Sequence, residues 1–157
     1  MSDTKPPNPK DAAATCRLPL HLVPDTIAVY AALAFAEGDA KYGGYNWRAS
    51  EVMASVYIAA LRRHLVKWVN GEEADPKTKV PHLAYIIASA GILLDAQLAG
   101  KLVDDRPPAS PLAGLIDDME AHIAAIRDMF ASHAPKRYTI ADSDPRFRPP
   151  PGQSAGR

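Results

Sequence analysis

The stretch Pro81-His-Leu-Ala-Tyr-Ile-Ile-Ala-Ser-Ala-Gly-Ile-Leu-Leu-Asp-Ala-Gln-Leu98 decides the fold. It is too long for a strand, holds no internal proline and is apolar almost all round. A helix of that kind belongs at the centre of a bundle rather than on its surface. Working outward, three further helices are expected. The first runs from about 24 to 40, with Pro24 suited to a first-turn position, Asp25 at the positive end of the dipole and Gly43-Gly44 as the stop. The second runs from about 50 to 70, with Ser50 as N-cap and Gly71 as terminator. Its expected core stripe is Ala54, Ile58, Leu61, Leu65 and Trp68. The last runs from about 110 to 132. There Leu112, Ile116, Met119, Ile123, Ile126 and Phe130 alternate steps of four and three, the seam of a bundle or coiled-coil interface. Strand-like segments are too few for a sheet, so the fold class expected is all-α, a four- to five-helix bundle.

The 157 residues suit one domain. Residues 1–17 and the chain from about 144 onward, with Pro149-Pro-Pro151, read as irregular and flexible. That leaves a body over 18–134 and an irregular C-terminal extension over 135–157, in which Arg137–Ala141 is a short β-prone exception that can pack on the body. Lys plus Arg and Asp plus Glu balance at 18 each, so no net field recruits DNA, RNA or an acidic membrane. The single Cys16 excludes an intrachain disulfide and fits a reduced cytoplasm. No leader opens the chain, and no apolar run reaches about 18 residues.

Cations, carboxylates, amides and aromatics follow one another closely between residues 37 and 95, which suits a polyphosphate bound through a metal. Glu72 and Asp75 stand three apart; on a helical turn they would share a face and one cation, or they belong to a solvated acidic loop. Glu73 points elsewhere. Glu37 either joins a site or forms an i,i+4 pair with Lys41. Asp95, in a helix burying most of its surface, needs a partner or a metal. His82 lies about 140° round the helix from Asp95, so the two cannot bind one ion. His82 reads instead as a cap, core or phosphate-side residue. His64 is either a packing residue or a site residue. Tyr42, Tyr45, Asn46 and Trp47 fall in the loop after the first helix. There Asn46 could read a base edge and an aromatic could stack on it, or the aromatics plug the end of the bundle. There is no adjacent His-Asp pair, no GxxxxGK[ST] loop, no CxxC and no Gly-x-Ser-x-Gly elbow.

Lys41-Tyr42-Gly43 and Tyr45-Asn-Trp-Arg48, followed by Leu61-Arg-Arg-His-Leu65, Gly71-Glu-Glu-Ala-Asp-Pro76, Pro81-His-Leu-Ala84, Leu94-Asp-Ala96 and Asp104-Asp-Arg-Pro107, resemble the signature of the phage-borne dATP/dGTP diphosphohydrolases. Tyr138–Asp142 is a further echo. That family is similar to the MazG-type all-α nucleotide pyrophosphohydrolases, and its members often carry a second histidine where Tyr85 stands. The resemblance implies hydrolysis of a purine deoxynucleoside triphosphate (dGTP or dATP) to monophosphate and pyrophosphate, in phage-related control of nucleotide pools. It implies Mg²⁺ or Mn²⁺ held by Glu37, Glu72, Asp75 and Asp95, with Glu73 taking the proton of the attacking water. Lys41, Arg48, Arg62 and Lys67 would neutralise phosphate charge, with His64 and His82 beside them. Tyr42, Tyr45, Asn46 and Trp47 would hold the base. The partner expected is a nucleotide, with no nucleic-acid polymer and no membrane. The seam of the last helix and the apolar central helix imply a homodimer or homotetramer. A non-catalytic nucleotide-binding protein and a helical interaction module are the alternatives.

Overall fold

Pro24 ends an extended segment, and the chain enters helix α1 at Asp25, whose carboxylate sits in the first turn. The helix continues to Tyr42, two residues past the expected end, because the break comes only at Gly43. That glycine takes φ 83°, and its N–H closes on the Asp39 carbonyl at 2.9 Å. A side chain there would be strained. Tyr45 adopts a left-handed conformation, φ 56°, and turns the chain into the short helix α2, Asn46–Ala49. The structure is a computed structural model and describes Lys10 and residues 17–147. Cys16 and Pro149–Pro151 lie outside the described residues, as does most of the expected flexible segment 1–17.

Ser50 caps the end of α2 rather than the start of the next helix. Val52–Met53 instead forms strand β1, which pairs in parallel with strand β2, Leu102–Val103. Helix α3 then runs Ala54–Val69. Met53 has no side-chain oxygen to cap it. Asp105, just past β2, does so from across the fold, accepting the Ser55 N–H at 2.8 Å and the Ser55 hydroxyl. Helix α4 is His82–Leu98, and helix α5 is Leu112–Met129. The fold is therefore all-α, with one two-residue strand pair among the described residues that the sequence pattern does not announce. Arg137–Ala141 forms no strand. A capping box at Thr139 and Asp142 starts a 3₁₀ turn over Ile140–Asp142 instead.

The expected central helix, α4, packs against both α1 and α3. The contact with α1 is made by small residues: Ala34, Val80, Ala84 and Ala88 form a buried cluster flanked by Tyr30, Phe35 and Tyr85. Short side chains let the helix backbones approach closely. Large apolar residues remain outside this core; Leu65 and Trp68, expected inside, are exposed. Ala54, Ile58 and Leu61 face inward as expected, and Tyr57 and His64 join them, buried or half-buried. The inner face thus turns a tyrosine and a histidine toward α4. Among the described residues, no helix is long and apolar enough to cross a membrane.

Candidate active-site cleft

The segment between α3 and α4 forms a tight loop rather than the helical turn expected at Glu72 and Asp75. Gly71, at φ 92°, reverses the chain, and the Glu72 N–H returns to the Lys67 carbonyl. Ala74 and Pro81 form an antiparallel bridge, reinforced by Asp75 N–H to Val80 carbonyl at 3.0 Å. The Asp75 Oδ1 accepts the N–H groups of Lys77 and Thr78 at 2.9 and 3.0 Å. These bonds hold the Asp75 carboxyl below its ordinary pKa, the Thr78 N–H contributing most. The loop is closed at its base, so its carboxylates have fixed positions.

Three segments meet around this loop. From α1, Glu37 accepts hydrogen bonds from the Lys41 ammonium and the Tyr85 hydroxyl. The Tyr85 oxygen lies 2.7 Å from Oγ1 of Thr78, the residue whose N–H Asp75 Oδ1 accepts. Because the Tyr85 proton goes to a carboxylate, the Thr78 hydroxyl must be the donor to the Tyr85 oxygen. On the other side, Glu72 Oε1 accepts from Lys67 Nζ and His82 Nε2, each at 2.9 Å. His82 Nδ1 is 2.9 Å from His64 Nδ1, and the His64 ring stacks on Tyr85 with centroids 4.4 Å apart. Glu37, Asp75, Glu72, Lys41 and Lys67 thus belong to one bonded and stacked network around Tyr85 and the two histidines.

The charges follow this arrangement. Burial alone would raise the Glu37 carboxyl, but the bonds from Lys41 and then Tyr85 hold it below its usual value. The Lys67 bond, with His82 second, lowers Glu72. Burial, together with donation to Glu37, pushes the Tyr85 hydroxyl up to about 12. Burial lowers His64, and the neighbouring His82 adds to it. His82 is completely buried at the start of α4. Since an ionised Glu72 only accepts, His82 Nε2 carries a proton. His82 Nδ1 and His64 Nδ1 share one hydrogen bond, whose donor is set by the tautomers of the two rings.

The remaining sequence candidates lie elsewhere. Asp95 is at the far end of α4, thirteen residues and about 20 Å of helix from His82. It has found a partner: Arg48 Nε and Nη2 reach its two oxygens at 2.7 Å each, and Trp47 Nε1 donates at 2.6 Å. The bidentate Arg48 bond, then Trp47, holds its pKa down at about 2. The structure does not bring Asp95 to the other three carboxylates. Arg48 and Trp47 are occupied as well, Arg48 also lying over the Tyr45 ring at 4.9 Å. Phe35, Asp39, Tyr45 and Trp47 line a groove of about 620 Å³. It opens on the flank of α1 away from Glu37, since Glu37 and Asp39 differ by about 200° round the helix. Asn46 starts α2, beside Trp47. Arg62 is exposed on α3, about 200° from His64. Glu73 sits in the loop, and its carbonyl accepts the His82 N–H. Tyr42 is exposed at the end of α1, close enough to Lys41 and Tyr57 to act on their charges.

Two residues of this network, Tyr85 and Thr78, were not among the candidates the sequence offered. Tyr85 follows His82 by three residues and so lies on the same side of α4, which was the available signal. Thr78 follows Asp75 by three residues in a proline-containing loop, the spacing of an Asx-type turn. Among the described residues, no three His, Cys, Asp or Glu side chains are gathered as a ready metal cluster. Each carboxylate is turned instead to a cation, a hydroxyl or the loop backbone. The donor chemistry nevertheless suits a hard divalent ion, because Glu37, Glu72, Asp75 and Thr78 offer oxygen alone.

No curated protein and no solved structure shows significant similarity to this sequence. The family model described as dATP/dGTP diphosphohydrolase, N-terminal, matches residues 7–106, which include every residue of the cleft. That match covers most of the chain, and with it the chain belongs to the dATP/dGTP diphosphohydrolase family.

Proposed function

We propose that the protein hydrolyses a purine deoxynucleoside triphosphate to the monophosphate and pyrophosphate in the cleft between α1, α3 and the 71–81 loop. One observation carries this reading: Glu37 from α1 and Glu72 and Asp75 from the loop join Lys41 and Lys67 in a single network. Glu37, Glu72 and Asp75 would hold Mg²⁺ or Mn²⁺. When bound, such an ion neutralises phosphate charge and makes a bound water a better nucleophile. Lys41 and Lys67, now paired with Glu37 and Glu72, exchange those carboxylates for phosphate oxygens as substrate enters. Water oxygen bonds to the α-phosphorus, the bond to the bridging oxygen breaks, and pyrophosphate leaves with its charge on the two lysines. Glu73 takes the water's proton. Tyr42, which lies close to Lys41, holds the base rather than Tyr45 and Trp47 on the far flank. A role in phage nucleotide-pool control rests on the family resemblance.

Incubating the full chain with dGTP or dATP and Mn²⁺, then separating products by anion exchange, tests the reaction. Monophosphate and pyrophosphate should appear in equal amounts. Glu37→Gln and Glu72→Gln should each lower kcat/KM by about 100-fold or more with an unchanged circular dichroism spectrum. Full activity in both variants, or release of nucleoside and inorganic triphosphate, would overturn the site. Binding without turnover would identify a nucleotide sensor instead.

A further inference from the structure

Glu37 and Glu72 each have donors of two different kinds. Lys41, exposed on α1, and Lys67, half-buried on α3, reach them through long flexible chains. Their ammonium groups can swing to another acceptor. The other two donors are fixed. His82 is fully buried in the first turn of α4, and its backbone N–H is tied to the Glu73 carbonyl at 2.9 Å. Its Nε2 meets Glu72 and its Nδ1 meets His64, so neither ring nitrogen is left over. Tyr85 follows on the same side of α4, with its ring stacked on His64. His64, His82 and Tyr85 therefore form one block of rings that presents an N–H to Glu72 and an O–H to Glu37. A buried histidine is costly unless its polar atoms are partnered, and an apolar side chain would pack there without that cost. What the histidine adds is its bond to the carboxylate.

The oxygens are divided accordingly. On Glu37, Lys41 takes Oε1 and Tyr85 takes Oε2. On Glu72, Lys67 and His82 share Oε1, and among the described residues no hydrogen bond reaches Oε2. When the lysines turn to phosphate, each carboxylate keeps one fixed donor on one oxygen and has the other oxygen open. We infer, on the reading of the cleft proposed above, that His82 and Tyr85 are positioning residues: they hold Glu72 and Glu37 in place and leave one oxygen of each for a divalent ion. They act through the carboxylates and not as ligands, in the way that groups behind a metal's ligands orient them.

Mn²⁺ binding to the full chain without nucleotide, followed by loss of the free-ion electron paramagnetic resonance signal, tests this without turnover. Tyr85→Phe removes the hydroxyl and keeps the ring against His64. His82→Leu removes the donor, whereas His82→Gln keeps an N–H at similar reach. Tyr85→Phe and His82→Leu should each weaken Mn²⁺ binding by about 10-fold, and His82→Gln should recover most of that loss. In a Glu37→Gln background, Tyr85→Phe should have no further effect, because it works only through that carboxylate. Should His82→Leu fail to fold, Tyr85→Phe and its pairing with Glu37→Gln decide alone. Wild-type or tighter binding in Tyr85→Phe, with Glu37→Gln weakened, would overturn the inference and leave the metal site standing. The rings would then only hold the helices together. An equal loss from Tyr85→Phe with and without the Glu37 carboxylate would overturn it in the same way. No Mn²⁺ binding by the wild type, or undiminished binding in Glu37→Gln and Glu72→Gln, would remove the reading of the cleft and the inference with it.

Discussion

Asp95 lies near the end of α4, between Leu94 and Ala96, and its carboxylate is taken by Arg48 and Trp47. The need for a partner was legible from its apolar surroundings. The partner's identity was not, because Arg48 is 47 residues away and only the turn through Gly43 and Tyr45 brings it back. This bond holds α2 to α4. It has a pH signature with a definite sign: the folded-state pKa is about 2 against 3.8 for a free carboxyl. The bond's contribution is therefore complete above pH 4 and is lost as pH falls through about 2. Asp95→Asn should lower the melting temperature at pH 6, and the gap to wild type should close as the pH approaches 2. A gap independent of pH would mean that Asp95 is not ionised in the fold. Glu37 was legible in the same incomplete way. Its bond to Lys41 is the i,i+4 pair that spacing suggests, while its second bond, to Tyr85, spans 48 residues and has no local signal.

Among the elements, α1, α4 and α5 begin and end within two or three residues of where local signals place them. Gly43, Pro81 and Pro111 act on the chain beside them and need no distant partner. The start of α3 was misread for the opposite reason. Ser50 is a good capping residue, but Val52 and Met53 find a strand partner in Leu102 and Val103, and the cap comes from Asp105. Asp105→Ala should thus destabilise the fold, as loss of an N-cap partner does. Urea unfolding measures this, and an unchanged midpoint would show that the Ser55 contact carries no stability. The loop between α3 and α4 has the same character. Its acidic residues were recognisable by type, but their placement depends on the Ala74–Pro81 bridge and on Asp75 turning back to its own backbone.

Across the whole molecule, the contact between α1 and α4 is made largely of alanine, so the separation of these helices also sets how far Tyr85 on α4 stands from Glu37 on α1. Ala84 is fully buried there and is followed directly by Tyr85, whose hydroxyl reaches Glu37. Ala84→Val should cost about 1–3 kcal/mol by forcing the helices apart. It should also weaken hydrolysis more than Asp105→Ala does, because the Tyr85–Glu37 bond is stretched. Thermal unfolding and kcat/KM of the two variants, measured side by side, check both expectations. Equal activity in the two would disconnect the core from the cleft.

A divalent ion and a triphosphate are expected to meet at Glu37, Glu72 and Asp75. A crystal soaked with Mn²⁺ and a non-hydrolysable dGTP analogue, recorded at the manganese absorption edge, tests it most directly. An anomalous peak among these three carboxylates, with Lys41 and Lys67 turned to the phosphates, is the expected result. Manganese bound at Asp95, or phosphates seated in the Phe35–Trp47 groove, would contradict it.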